Sequence, residues 1–139
     1  MNAMRRVGII EVSARRILRL DKERSETVVS SEAFEQQAVV DYLDFKHIPF
    51  YHIPNGGSRN KKEAKNLKRQ GVRPGVPDLC IPVAKRGCHG LYIEMKYGKN
   101  KPTEKQLEWL DVLNANGYKA VVCYGFDQAK ETIDEYFKE

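Results

Sequence analysis

Three residues in the middle of the chain could do chemistry together: Asp78 after Pro77, and Glu94 and Lys96 two positions apart. Asp78 stands at the mouth of a short apolar run, Leu79–Ala84, while Glu94 and Lys96 interrupt a second run, Leu91–Tyr97. In a strand, residues i and i+2 leave the same face, so Glu94 and Lys96 share one. If the two runs form a hairpin through the turn at Lys85–Gly90, pairing centred near Arg86 sets Asp78 opposite Glu94. Cross-strand neighbours lie about 5 Å apart at Cβ, close enough for both carboxylates to bind one cation. Clustered like charges are destabilising unless a cation neutralises them, so the pair argues for a bound ion. A third acid could come from the first helix, Glu32 or Glu35. Oxygen-only ligation without paired His or Cys suits Mg²⁺ or Mn²⁺ rather than zinc. Such an ion activates a water and orients it in line with a phosphodiester. Lys96 could hold that water or offset charge developing on the phosphate. Singly, each residue has a plain explanation, a turn Asp after Pro and a solvent-facing Glu-x-Lys pair. The conjunction is far more specific.

The elements that must position these residues follow from periodicity. Phe34, Ala38, Tyr42 and Lys46, widened by Val39 and Leu43, predict a helix from Ser31 to about Lys46 with Ser31 as N-cap. Ile48–Ile53 reads as a strand ended by Pro54-Asn55-Gly56-Gly57, and Lys61–Gln70 as a polar helix stopped by Gly71. After the two runs already described, Thr103 and Gln106 form a capping box for a helix whose stripe is Leu107, Leu110 and Leu113, closed by Gly117. Lys119–Tyr124 predicts a buried strand. Asp127 is expected to cap a last helix with Ala129, Ile133, Tyr136 and Phe137 inward. The order α-β-(α)-β-β-α-β-α predicts one α/β domain, a mixed central sheet flanked by helices on both sides. Residues 1–30 show no apolar stripe and read as an N-terminal extension, with a short strand expected at Val7–Val12, so the domain itself is taken as 31–139.

The chain has 139 residues, 41% of them hydrophobic and 31% charged, which fits a single folded domain and argues against wholesale disorder. No apolar run approaches the roughly 18 residues of a membrane span. Arginines interrupt the first twenty residues, so they do not read as a secretory signal. Cys80, Cys88 and Cys123 are odd in number with no CxxC pair, which predicts core or turn thiols and a cytoplasmic setting. The net charge of +5 names no partner by itself. Its distribution says more: Asn55–Gly75 carries Arg59, Lys61, Lys62, Lys65, Lys68, Arg69 and Arg73 against Glu63 alone, a local +6. Such a run is either a solvated surface or a phosphate-backbone contact surface, and only the flanking chemistry decides.

Other candidates read as structural. His47, His52 and His89 are too scattered for a triad with any serine. Trp109, Tyr92, Tyr97 and Tyr124 could stack on bases, but their places on core elements favour packing. Asn55-Gly56-Gly57 is either a turn needing positive φ or a close backbone approach to a phosphate; the basic run directly after it favours the second.

Pro77-Asp78 with Glu94-Met95-Lys96 resembles the signature of the PD-(D/E)xK nuclease superfamily. Glu32 with Gln36 one turn on, Asn55-Gly56-Gly57, Gly75-Val76-Pro77-Asp78-Leu79, Ile93-Glu94-Met95-Lys96, and Pro102-Thr103 with Gln106 before Trp109 resemble the VRR-NUC family, the virus-type replication-repair nucleases. The resemblance spans roughly Ser31 to Phe137, with four motifs in order. It implies a restriction-endonuclease-like core and Mg²⁺- or Mn²⁺-dependent hydrolysis of DNA phosphodiesters. By resemblance, the metal ligands fall on Asp78, Glu94 and the Met95 backbone carbonyl, the helical acid on Glu32 (Glu35 being the alternative), the catalytic lysine on Lys96 and the glutamine after the core on Gln106. Contacts to DNA are then expected from Asn55, Gly56, Gly57, Arg59, Lys61, Lys62, Lys65 and Arg73. The family occurs as stand-alone phage and bacterial proteins and within larger repair nucleases. Its minimal members imply a homodimer cutting branched DNA such as Holliday junctions. A catalytically silent DNA-binding module and a non-specific nickase are the competing readings.

Overall fold

The computed structural model describes residues 31–55 and 60–139. Eight elements follow in the order α1 (Glu32–Phe45), β1 (Tyr51–His52), α2 (Lys61–Arg69), β2 (Leu79–Ile81), β3 (Leu91–Lys96), α3 (Glu104–Ala115), β4 (Lys119–Tyr124) and α4 (Gly125–Phe137). The order is the one the periodicity predicts. The strands form a single mixed sheet, β1-β2-β3-β4, antiparallel except for the parallel pair β3–β4, which α3 connects.

Capping residues fix most helix ends. The Ser31 hydroxyl accepts from Phe34 N at the start of α1, and Asn60 does the same for Glu63 N in α2. Thr103 and Gln106 complete the expected capping box of α3. The last helix departs from expectation: Asp127 lies inside its first turn, Tyr124 is the N-cap without a side-chain bond, and Phe126 N donates to the Glu35 carboxylate across the core at 3.3 Å. A partner from α1 therefore does what a local cap was expected to do.

Burial divides the sheet into two faces. Leu79, Ile81, Leu91, Ile93 and Met95 pack against Ala38, Val39, Tyr42 and Leu43 of α1 and Phe126, Ala129, Ile133 and Tyr136 of α4. On the opposite face, Tyr92, Ala120 and Val122 meet Leu110, Leu113 and Trp109 of α3, with Tyr118 beside them. Leu107 is not part of that stripe. It is 49% exposed, because α3 turns Gln106, Trp109, Leu110 and Leu113 toward the sheet instead. Helix α2 buries no residue at all.

Three strands are shorter than their apolar runs. β1 keeps only Tyr51–His52 of Ile48–Ile53, because Ile48 N is bonded to Leu43 O behind α1 and Pro49 has no N–H to give. β2 stops before Pro82 for the same reason, and β3 ends at Lys96, leaving Tyr97 outside. The outer edge of β4 is occupied by side chains. Asn114 accepts from Ala120 N and donates to Ala120 O, both at 3.0 Å, and the Gln128 amide oxygen accepts from Tyr124 N at 2.9 Å. These amides imitate a neighbouring strand and block the edge against pairing with another chain. No helix among the described residues is long and apolar enough to cross a membrane.

Candidate active site

The register sets the site. Leu79 pairs with Ile93, Cys80 with Tyr92 and Ile81 with Leu91, so one step outward brings Asp78 opposite Glu94. The midpoint of that ladder is Arg86, as the hairpin reading requires; Arg86 itself takes a positive φ of 52° in the turn. Asp78 is anchored from three sides. Its Oδ2 accepts from Met95 N at 2.8 Å, while its carbonyl accepts from Ile53 N at 2.8 Å and from His52 Nδ1 at 2.7 Å. The Gln36 amide nitrogen of α1 lies 3.2 Å from the same His52 nitrogen.

The approach to Asp78 depends on Gly75. Its φ is +88°, and a Cβ built there would stand 2.6 Å from the Lys105 carbonyl carbon and 2.9 Å from Gln106 N. Only a glycine lets the loop before Asp78 lie against the first turn of α3. That turn delivers Gln106, whose Nε2 donates to Glu94 Oε1 at 2.8 Å. Gln106 thus closes the capping box with its Oε1 and reaches the site with its Nε2. The contact between Gly75 and Lys105, thirty positions apart, left no signal in the sequence.

Glu94 is 2% exposed and Lys96 8% exposed, both on the α3 face of β3. Lys96 Nζ stands 3.6 Å from Glu94 Oε1. Burial, joined by the charges of Asp78 and Glu32, pushes the Glu94 carboxyl up to about 8, against the pull of Lys96. Burial also raises Asp78, opposed by the Met95 N–H, His52 and Lys96. A buried carboxylate that is hard to ionise without help is what a cation-binding position looks like before its ion is counted.

The donor set is chemically suited to such an ion. Glu94 Oε2 is buried without a hydrogen-bond partner, although Oε1 has both Gln106 and Lys96. Orphaned buried oxygens are uncommon and call for an explanation such as an ion. The Met95 N–H points to the β2 side of the strand, where Asp78 takes it, and the carbonyl of the same residue leaves by the same side. Asp78, Glu94 and the Met95 carbonyl are thus an all-oxygen set suited to a hard divalent cation. Among the described residues no three His, Cys, Asp or Glu side chains converge on one point, so a backbone oxygen and water must complete any such shell.

The two acids of α1 part ways. Glu32 is half-buried in the first turn and its charge reaches Glu94, whereas Glu35 is buried and tied to the start of α4. Of the residues expected to meet DNA, Lys61, Lys62 and Lys65 lie exposed on α2 and Arg73 is exposed beyond it. Asn55 donates its side-chain N–H to the Arg73 carbonyl, closing the base of the α2 excursion next to Asp78. Gly56, Gly57 and Arg59, like the strand expected at Val7–Val12, lie outside the described residues. Trp109 and Tyr92 pack under α3, and the three cysteines are free thiols. Two open grooves of about 340 and 540 Å³ on the outer side of α4 share no residue with the site.

The VRR-NUC domain family matches residues 30–127, a span that includes each element of this site. The chain belongs to the VRR-NUC family. A solved structure named as a VRR-NUC domain protein is 32% identical, with a TM-score of 0.69 over 81% of this chain and 92% of the other. No curated protein matches the chain. The mixed sheet flanked by helices is thus the VRR-NUC fold, consistent with a PD-(D/E)xK core. A VRR-NUC domain is a nuclease-type domain, and the substrate it implies is DNA.

Proposed function

We propose that this protein is a metal-dependent DNA endonuclease that uses Mg²⁺ or Mn²⁺, prefers branched DNA such as a Holliday junction, and works as a homodimer with its nuclease domain in residues 31–139. One observation carries the reading above all: the buried, partnerless Oε2 of Glu94, the residue that the register sets opposite Asp78. In this reading Asp78, Glu94 and the Met95 carbonyl hold the ion, and Glu32 adds negative charge at the rim. The bound ion would polarise a water and the scissile phosphate. Lys96, fixed by Glu94, holds a proton-bearing cation where a water or a phosphate oxygen would sit and offsets charge that develops there. Gln106 keeps Glu94 Oε1 engaged and so aims Oε2 at the ion. The cations of α2 and Arg73, with Asn55 at the root of that excursion, hold the phosphate backbone beside Asp78, and Gly56, Gly57 and Arg59 are expected from the sequence to join them. Two copies related by a two-fold axis supply the two cuts that a symmetric junction needs.

The test is a cleavage panel of supercoiled, nicked, flapped and four-way-junction DNA with each metal and with chelator, run beside sizing of the protein in solution. The expected result is metal-dependent cutting of branched DNA by a dimer, lost in Asp78→Ala and Lys96→Ala. Tight DNA binding with no cleavage of any substrate would instead make it a silent binding module, and equal single-strand cutting of all substrates a nickase.

A further inference from the structure

Among the described residues, α3 packs on only half of its face of the sheet. The apolar cluster under α3 takes in residues of β3 and β4 and none of β1 or β2. The opposite face is closed by α1 and α4. The β1–β2 half of the α3 face thus lies outside that cluster. That half carries a ring. Tyr51 pairs with Cys80, and Cys80 with Tyr92, so these three side chains share one row and one face, directly below the row of Asp78 and Glu94. Residues two apart on a strand stand about 6.6 Å apart, roughly twice the 3.4 Å rise of stacked bases.

Tyr51 is 50% exposed, whereas Cys80, its pair in β2, is only 3% exposed. Tyr118 stacks edge-on against Tyr92 with centroids 5.4 Å apart, extending the row of rings. The next residue of β1, His52, is bonded to the Asp78 carbonyl, which ties β1 to the backbone at the site. The basic excursion of α2 leaves from Asn55 and returns at Arg73, at the same margin of the sheet. An exposed ring beside a cationic backbone track is the pairing that single-stranded nucleic acids use, because every base has a face to stack.

We propose that Tyr51 is a stacking ledge for an unpaired nucleobase of the DNA, placed beside the bond that the site cuts. This deepens the nuclease reading, on which it rests. It gives a physical source for a preference for DNA with an unpaired base, such as a flap, over continuous duplex DNA, whose bases are all stacked.

The test compares the full chain with Tyr51→Ala and Tyr51→Phe in chelator, where binding is read without cutting. The probes are a flapped duplex carrying a fluorescent adenine analogue at its first unpaired position and a blunt duplex with the same number of phosphates. Wild type and Tyr51→Phe should quench the analogue and prefer the flap. Tyr51→Ala should lose the quenching and bind the flap about 5- to 150-fold more weakly, the worth of one base on an aromatic ring, with the blunt duplex unchanged. No quenching by wild type would overturn the ledge, whether or not a variant folds. Equal weakening on both probes, loss in Tyr51→Phe as well, or a dimer that Tyr51→Ala turns into a monomer would overturn it too. Ring-dependent flap preference in a protein that never cuts DNA would support the ledge and sink the nuclease reading, so the two fail separately.

Discussion

Strand β3 serves two regions that are equally buried and chemically opposite. Leu91, Ile93 and Met95 look toward α1 and α4 and are fully enclosed by side chains. Glu94 and Lys96 look the other way, are nearly as inaccessible, and meet charge and amide instead. The first face is satisfied by packing. The second keeps a carboxylate oxygen with no partner. Because side chains alternate with period two, one six-residue strand holds the core together on one side and carries a destabilising site on the other. Stability and chemistry should therefore separate between adjacent residues.

Ile93→Ala and Glu94→Gln break or confirm that separation most sharply. Ile93→Ala removes packed volume and should lower unfolding free energy by about 2–5 kcal/mol in urea titrations. Glu94→Gln keeps the shape and replaces a carboxyl that already holds its proton below about 8, so below that pH the metal-free protein should lose far less stability than Ile93→Ala. The same variant should cut DNA at least about 100-fold more slowly. If Glu94→Gln destabilised the fold as much as Ile93→Ala, the two faces would not be distinct.

The pH dependence sharpens the same contrast. In the metal-free fold Glu94 holds its proton up to about 8, while the unfolded chain releases it near the ordinary 4.5. Between those values the folded state binds more protons than the unfolded one, so stability falls as pH rises and levels off above about 8. Asp78, also raised, acts in the same direction at the acidic end of that window. Asp134 and Glu135 are lowered instead, and their stabilisation is lost only as pH drops below ordinary carboxylate values. Urea midpoints in chelator should decline across the window for wild type and much less for Glu94→Gln.

The split between the two faces also explains what could be read beforehand. The Asp78–Glu94 rung was legible because a hairpin centred on Arg86 leaves no freedom in register once both strands are recognised. Lys96 followed from the period alone. Leu107 misled because Leu107, Leu110 and Leu113 make as good a stripe as the one α3 uses; what orients the helix is a polar contact, Gln106 to Glu94, that apolar counting ignores. Asp127 misled in a similar way, since the partner at the start of α4 is Glu35, ninety-one positions earlier. Tyr51 carries no signal in the sequence, because its run reads as an ordinary strand and its exposure depends on where α3 stops covering the sheet.

Gly75→Ala probes the joint between the site and its support. The added Cβ would meet the Lys105 backbone at 2.6 Å, on a φ of +88° that alanine adopts with strain. Relief requires the first turn of α3 to move, which lengthens the Gln106–Glu94 bond. We expect a loss of about 1–3 kcal/mol in stability. Cleavage should fall by about 10- to 100-fold, as for a lost supporting partner of a metal ligand. Gln106→Ala should reproduce the activity loss; if Gly75→Ala spared activity while Gln106→Ala did not, the close approach would serve the fold alone.

Helix α2 marks the far end of the contrast, since it buries nothing and carries Lys61, Lys62, Lys65, Lys68 and Arg69 against Glu63. Replacing Lys62 and Lys65 with Gln should leave unfolding within about 0.5 kcal/mol of wild type, because no packed atom is lost. If these lysines meet phosphates, each released counterion contributes to the salt dependence of binding. The slope of log affinity against log salt for duplex DNA should then become shallower by about 0.9 per lysine, about 1.8 in all. An unchanged slope would make the basic run a solvated face and nothing more. A shallower slope with unaltered stability would show that here, unlike along β3, the chain's charge acts on its partner without any cost to the fold.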